Sequence, residues 1–178
     1  MWTTDKIERF CKEYGFVPNQ TTSELSSLHK ILYPDEVLMG LLDGILKEVF
    51  GKNYNGNGMV IATNKRVIFY RKNFLGITTK EEISLQKVSS ASIRKGLIFS
   101  SIILTSSNNE AIVKQCENKS AEKFITVLTN LIHNSHTLKT TTGGDDLTQK
   151  LEKLFELKQR GILTKLEFND QKAKILAS

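Results

Sequence analysis

Apolar residues at helical spacing predict two helices before residue 35. The first has an apolar residue every three or four positions and ends at Gly15, because glycine suits the left-handed residue that follows a helix. Its apolar stripe consists of Ile7, Phe10, Cys11 and Tyr14. The second begins at Thr21, since Thr21 and Glu24 match the capping box, in which each side chain satisfies a free amide at the helix start. Pro34 ends this N-terminal helical segment, residues 1–34.

The apolar pattern then shortens to that of antiparallel strands separated by turns. Runs rich in β-branched and aromatic residues flank Asn64-Lys65, which predicts a tight hairpin. The glycine- and asparagine-rich residues 51–58 are interpreted as a loop, and the polar residues 106–109 as a second hairpin turn. The predicted strands are residues 59–63, 66–71, 77–85, 97–105 and 110–115.

Residues 36–50 fit two descriptions. Their apolar positions have helical spacing, and Pro34 would suit a helix start. Against a helix, Gly40 and Gly44 would each cost roughly 1 kcal/mol in its interior. Asp43-Gly44 is also a strong signal for a two-residue turn. The balance favours two strands joined at Asp43-Gly44.

A long apolar stripe and a second helical unit follow the strands. The stripe predicts a helix that covers the sheet, with the members Ala121, Phe124, Ile125, Leu128, Leu131 and Ile132. Residues 137–146, rich in threonine, glycine and charge, predict a flexible linker. Within residues 147–178, Gly161 suits a helix end and Thr164 begins the next helix, so this segment is predicted to be a two-helix hairpin.

Residues 35–136 resemble the bacterial pleckstrin-homology-like (PH-like) family of the YokE-like type. The resemblance lies in Asp35–Leu38, Ile61–Tyr70, Ile83, Val88, Ile93–Gly96 and the helix after Ser120. It implies an α+β fold: a PH-like bent antiparallel β-sheet, closed like a barrel or sandwich and capped by a C-terminal helix. PH-like domains are generally binding modules, so the implied function is recognition.

Residues 147–178 resemble the SHOCT module, a short C-terminal helical hairpin of many bacterial proteins. The resemblance lies in Gly161–Phe168, in the leucine-rich stretch before it, and in Lys172, Lys174, Ile175 and Leu176 after it. It implies oligomerisation or contacts with a partner, because two short helices bury little apolar surface by themselves. The expected contact face comprises Leu151, Leu154, Phe155, Leu163 and Phe168.

The formal net charge of +6 lies mainly in the PH-like region, since residues 35–136 contribute +4, residues 137–178 contribute +2 and residues 1–34 are neutral. Three basic pairs fall at predicted strand ends or turns and form a candidate binding rim: Lys65-Arg66, Arg71-Lys72 and Arg94-Lys95. Such pairs either solubilise strand edges or attract an acidic protein, an anionic membrane surface or nucleic acid.

No constellation of residues points to catalysis, a cofactor or a metal. The pair His133 and His136 lacks a third ligand at suitable spacing, and the glycines of residues 53–58 are not followed by the Lys-Ser/Thr of a phosphate-binding loop. Two cysteines, Cys11 and Cys116, suit a reduced cytoplasm.

We expect a cytoplasmic, non-enzymatic module, without cofactor or small-molecule substrate, that binds a protein partner or itself. The alternative is peripheral binding to an anionic membrane, at its inner face, or to nucleic acid.

Overall fold

The computed structural model describes residues 2–107 and 109–140, with side chains up to residue 137, and residues 168, 171, 172 and 174 near the C terminus. The helices are α1 Thr4–Tyr14, α2 Thr22–Ser27 and α3 Asn118–Thr140, with 3₁₀ turns at Leu28–Lys30 and Leu85–Lys87. The strands are β1 Leu38–Val49, β2 Lys52–Thr63, β3 Arg66–Lys72, β4 Thr78–Ser84, β5 Val88–Lys95, β6 Phe99–Ser106 and β7 Glu110–Glu117. The sheet, α1, α2 and the first part of α3 belong to one compact unit, Met1–His133.

The seven strands form one antiparallel sheet in the order β4-β3-β2-β1-β7-β6-β5. The central strand β1 pairs with β2 along most of its 12 residues, but with β7 only from Ile45 to Val49. Gly44 lies where this second pairing begins, and a Cβ there would come within 2.6 Å of Val113 Cγ1. Only glycine therefore permits β1 and β7 to approach so closely. The predicted bent antiparallel sheet with its C-terminal helix is confirmed.

Two apolar clusters hold the sheet, one on each face. The larger cluster includes Leu42, Phe69, Leu104 and the α3 residues Phe124 and Leu128, all of them buried. In the second, the N-terminal helices cover the opposite face of β1, β2 and β3; its members include Ile7, Leu28, Leu41, Met59 and Ile68. Leu41 and Leu42 belong to different clusters because successive side chains of a strand point to opposite faces. Removing the N-terminal helices would therefore expose one whole face of β1–β3.

Residues 38–49 are one strand, so the predicted turn at Asp43-Gly44 is wrong. The chain reverses at Phe50 (φ 51°) and Gly51 (φ 83°), both in the left-handed region. Phe50 adopts this unfavourable conformation while its ring packs edge-on against Phe69, with the ring centroids 5.6 Å apart. Gly44 allows two strands to pack closely and does not form a turn. A signal of two residues cannot distinguish these two roles of glycine.

Residues 52–63 are also one strand, which corrects the loop predicted at 51–58. Gly58 lies against Leu46, whose Cδ1 would be 2.7 Å from an added Cβ, and Gly56 lies under the guanidinium group of Arg71. Gly58 is thus required by the neighbouring strands, because an added Cβ would also lie 3.0 Å from the Tyr70 carbonyl oxygen. At Gly56 the neighbour is the flexible end of the Arg71 side chain, which can move aside. Pairing with β1 on one side compensates for the weak strand propensity of the Asn-Gly repeat.

The predicted capping box at α2 is wrong as well. Thr21 is the N-cap, but its side chain makes no hydrogen bond to the helix and its hydroxyl donates to Asp43 instead. Glu24 accepts from the backbone N–H of Lys72 at 2.8 Å. Both residues therefore attach α2 to the sheet, which is a tertiary use that local sequence does not reveal.

Other local predictions are confirmed at the end of α1 and at two hairpin turns. The second helix is shorter than predicted, because α2 ends at Ser27 and a 3₁₀ turn follows, and β6 begins at Phe99, two residues later than predicted. Gly15 ends α1 with φ 70°, and its N–H bonds to the carbonyls of Cys11 and Lys12. Asn64-Lys65 joins β2 to β3, and residues 107–109 join β6 to β7. Helix α3 continues to Thr140, which is beyond the domain end predicted at residue 136. The rest of the predicted linker and most of the predicted hairpin lie outside the described residues.

Candidate functional site

The strand β5 forms one edge of the sheet. Within the described residues it pairs only with β6, so the backbone groups on its other side have no strand partner. Its apolar residues Val88, Ala91 and Ile93 pack against the core, whereas Ser90 and Ser92 are exposed. No charged side chain lies between Val88 and Ile93. Six residues of this edge are therefore small or apolar and carry no charge.

The other edge, β4, carries three consecutive charged residues, Lys80, Glu81 and Glu82. Lys80 Nζ lies 3.1 Å from Glu82 Oε2, and Glu81 accepts from Lys52 at 2.6 Å and from Tyr54 at 2.9 Å. Charged side chains on an edge strand disfavour the addition of another strand, because pairing would desolvate them. The two edges thus differ: β4 is protected against strand addition, and β5 is not.

The end of β5 is attached to the start of α3. Lys95 forms an ion pair with Glu122, and Asn118 Nδ2 donates to the carbonyl of Gly96 at 3.3 Å. Asn118 in turn accepts from Ser100 Oγ at 2.6 Å. One turn beyond Glu122, the half-buried side chain of Ile125 packs against the same core as the apolar residues of β5. The edge is therefore held in place by side-chain contacts at its last residue.

A buried ionic cluster lies at the start of β3, around Arg66. Arg66 Nε donates to Glu36 Oε1 at 2.6 Å, and Arg66 Nη2 donates to Glu36 Oε2 at 2.9 Å. The arginine also pairs with Glu82, donates to the carbonyl of Ile31 at 3.0 Å, and stacks 3.9 Å from the ring centre of Tyr33. Burial by itself would raise the pKa of Glu36, but the hydrogen bonds from Arg66 and Tyr33 N–H hold it below its ordinary value.

A small polar cavity of about 110 Å³ lies where α2 meets β1, and Asp43 faces it. Asp43 accepts from the N–H of Asn19 at 2.7 Å and from the Thr21 hydroxyl. Burial raises the pKa of Asp43 despite these hydrogen bonds. Gln115, at φ 55°, lines the same cavity. Asp43 is the one ionisable side chain among the described residues that line the cavity, so these residues provide no acid–base pair. We therefore interpret the cavity as a structural feature of the contact between the N-terminal segment and the sheet.

Among the described residues, no group of three or more His, Cys, Asp or Glu side chains is arranged to hold a metal ion. Within the same part of the chain, none of the helices combines the length and the hydropathy that crossing a bilayer would require.

Residues 32–130, more than half of the chain, match a family model described as "Bacterial PH domain". The chain belongs to this family. No curated protein matches it. The PH domain is similar in fold to a DUF1696-family protein with a PH domain from Shewanella loihica, at 12% identity and a TM-score of 0.42, covering 73% of this chain and 92% of that one. A PH domain from Shewanella amazonensis is 15% identical with a TM-score of 0.36, covering 53% and 82%. The hSac2 domain of the human phosphoinositide phosphatase Sac2 is 12% identical with a TM-score of 0.40, covering 81% and 87%.

The PH domain does not bring the three predicted basic pairs onto one rim. Lys65-Arg66 and Arg71-Lys72 lie at opposite ends of β3, which spans seven residues, or about 20 Å. Arg66 is 6% exposed and neutralised by carboxylates, so its assignment to a binding rim is wrong. Lys65 is paired with Asp35 on the surface, and Arg94-Lys95 ends β5. The partner of Arg66 is 30 residues away in sequence, which is why charge spacing did not identify it.

Sequence reasoning did not assign β5 as a strand, although its pattern contains a signal. Ala91 and Ile93 alternate with Ser90 and Ser92, which is the period of a half-buried strand. Of the predicted SHOCT face, Leu151, Leu154, Phe155 and Leu163 lie outside the described residues, and Phe168 is helical and half-buried.

Proposed function

We propose that this PH domain is a non-enzymatic protein-binding module whose β5 edge receives an extended segment of a partner as an additional strand. The observation that supports this is the contrast between the two edges. Among the described residues, the outward-facing backbone groups of the eight-residue strand β5 have no strand partner, whereas β4 is protected by charges. Strand addition uses main-chain hydrogen bonds for affinity and alternate side chains for specificity. Ile93 of β5 is half-buried, so part of its side chain remains accessible for apolar contact with the added strand.

The partner segment would carry an acidic residue at one end. Arg94 and Lys95 are exposed at the end of β5, and one acidic residue, Glu122, pairs with Lys95. Residues 83–109 contain three basic residues and no acidic ones, so the surroundings of the edge favour a negatively charged strand.

The test compares two lysine substitutions on the two edges. Ser92→Lys places a charge on the open edge, whereas Thr78→Lys places one on the edge that is already charged. Both residues are exposed, so both variants should fold like the wild-type chain. Tagged full-length chains are used to capture partners from a lysate of the native host, with mass spectrometry as the readout. A partner that is lost with Ser92→Lys and retained with Thr78→Lys supports strand addition, and a partner retained by both variants contradicts it.

In the same proposal, residues 147–178 form a SHOCT hairpin that links copies of the chain or contacts a second partner. The support is the sequence resemblance, together with an apolar stripe that the hairpin alone cannot bury. The full chain with Leu154→Asp and Phe155→Asp should lose self-association in light scattering, because a charge in an apolar interface is costly. A monomeric wild-type chain would exclude the oligomerisation part and leave the β5 proposal unaffected.

A further inference from the structure

The polar cavity beside Asp43 lies where two central strands separate. The pairing of β1 with β7 extends no further than Ile45, which lies opposite Lys114. The next residue of each strand, Gly44 in β1 and Gln115 in β7, lines the cavity. The cavity of about 110 Å³ therefore occupies the fork between β1 and β7, at the end of their pairing.

A β-bulge in β7 shapes this fork. The register of β6 and β7 shifts between Ser100 and Ile102, where β7 has one residue more than β6. Gln115 lies in this bulge with φ 55°, in the left-handed region that is unfavourable for residues with a side chain. Bulges redirect side chains and are frequent beside binding sites. Gln115 is thus left out of the regular pairing and lies at the cavity.

Asp43 supplies a carboxylate that has no cationic partner in the part of the chain that the structure describes. It accepts from the Asn19 N–H at 2.7 Å and from the Thr21 hydroxyl, and the charged group that acts on it is a second carboxylate, Glu24. Burial, and to a smaller extent Glu24, raise the pKa of Asp43. These two hydrogen bonds use only part of the roughly four lone-pair sites of a carboxylate, so it can still accept from a positively charged donor.

The other lining residues suit a planar organic cation. Four carboxamide side chains line the cavity, and all four residues are exposed, so the cavity is open to solvent; they are Asn19, Gln20, Asn57 and Gln115. Each carboxamide has a carbonyl oxygen that can accept from an N–H donor, and Asn57 already donates to Gln20 in this way. Phe99 is 51% exposed and lines the same cavity, where its ring offers a stacking surface for a guanidinium group.

We propose that this cavity binds a guanidinium group, with Asp43 as its counter-ion and the amide oxygens as further acceptors. The volume is well below the roughly 300 Å³ or more of sites for whole drug-sized ligands, but it is sufficient for the head of an arginine side chain or of a small guanidine. A lysine ammonium is a point charge and would use fewer of the acceptors. A metal ion fits less well, because Asp43 is the one carboxylate among the described lining residues. This site is independent of the β5 edge.

The test is a titration of the isotope-labelled full chain with methylguanidinium chloride, followed by NMR at constant ionic strength. The N–H of Asn19 donates to Asp43, so its signal reports on the carboxylate. We expect a saturable shift with a Kd of about 1–10 mM. N-methylurea has nearly the same shape without the charge and should bind about tenfold more weakly or less. This comparison uses the wild-type chain, so it does not depend on the folding of a variant.

Three variants locate the site. Asp43→Asn keeps an acceptor oxygen but removes the charge, and it should weaken the binding of methylguanidinium by about tenfold or more. Phe99→Leu should weaken it by about two- to fivefold, because the stacking surface is lost. Asp35→Asn is the matched control, since Asp35 is an exposed carboxylate that pairs with Lys65 and does not line the cavity. The control should bind like the wild-type chain.

Three results would overturn the proposal. The first is the absence of a saturable shift in the wild-type chain up to about 50 mM, well above the expected Kd. The second is equal binding of N-methylurea and methylguanidinium, and the third is unchanged binding by Asp43→Asn. Where methylguanidinium does bind, a short acetylated peptide with one arginine between glycines distinguishes the two sources of the guanidinium group. Tighter binding of this peptide indicates an arginine of a protein, and weaker binding indicates a small guanidine.

Discussion

Replacing Glu36 with glutamine removes one charge from the most enclosed ion pair of the PH domain. The side chain of Glu36 is fully buried and that of Arg66 is 7% exposed. Glu36 Oε1 accepts from Arg66 Nε and from Thr63 Oγ1, while Oε2 accepts from Arg66 Nη2 and the Tyr33 N–H. A glutamine amide in either orientation points its NH₂ group at two of these donors, so at least two hydrogen bonds are lost.

The expected loss of stability is about 3 kcal/mol. Removing one partner of a buried ion pair costs about 3–5 kcal/mol, because the other charge is left in a medium of low dielectric constant. We expect the lower end of this energy range, because Arg66 keeps Glu82 and the carbonyl of Ile31 as partners. For a chain of this size, 3 kcal/mol corresponds to a decrease of roughly 10 °C in Tm.

Urea unfolding monitored by both circular dichroism and tryptophan fluorescence measures this loss. Trp2 is the single tryptophan of the chain and its Nε1 donates to the Glu36 carbonyl at 2.8 Å, so its fluorescence reports on the immediate surroundings. Asp35→Asn is the control, since Asp35 pairs with Lys65 while 69% of its side chain is exposed. An exposed pair contributes about 0–1 kcal/mol. The reasoning is refuted if Glu36→Gln costs less than about 1 kcal/mol, or if Asp35→Asn costs as much.

The effect of Glu36→Gln should also depend on pH. The pKa of Glu36 is lower in the folded protein than its ordinary value of 4.5. A carboxyl of this kind contributes stability above its unfolded pKa, and that contribution is lost as the pH falls through the folded pKa. The stability difference between wild type and variant should therefore be constant near neutral pH and decrease below the ordinary value of 4.5.

Three further predictions concern other buried positions. Gly44→Ala should destabilise the domain by about 1–3 kcal/mol in urea unfolding, because the new Cβ overlaps Val113; unchanged stability would contradict the close approach of β1 and β7. Thr21→Val should lower the free energy of unfolding by about 1–3 kcal/mol, because Asp43 loses a hydrogen-bond donor. Thr21→Ser keeps the hydroxyl and should be nearly as stable as wild type; equal losses in both variants would contradict the role of the hydroxyl. Burial raises the pKa of Cys116 to about 12 and raises that of Cys11, so neither thiol should react with a soluble disulfide reagent at neutral pH faster than the domain unfolds.

Local pattern was sufficient for elements whose signal is contained within a few residues. Helix α1 and its end at Gly15 follow from spacing and from the conformational freedom of glycine. The hairpin at Asn64-Lys65 follows from two strongly β-prone runs that flank it. The same signals failed at Gly44 and at residues 51–58, where glycines serve contacts between strands that lie far apart in sequence.

The candidate binding surfaces were predictable only in part. The basic pairs were visible as charges, but their separation along β3 and the burial of Arg66 depend on the sheet. The edge position of β5 depends on the strand order, which no local pattern contains. Leu97 was predicted to lie in a strand, and its exposure in the turn between β5 and β6 is visible only in the tertiary structure.

The sequence by itself determined the approximate bounds of β3, β4 and β7 and that one apolar helix covers a sheet. The tertiary structure decided which strand lies at the edge, which glycine lies under a neighbour, and which arginine is neutralised by Glu36. The physical reason is range: propensity, capping and periodicity act over a few residues, whereas burial and pairing depend on partners such as Glu36 and Arg66, which only the folded chain brings together.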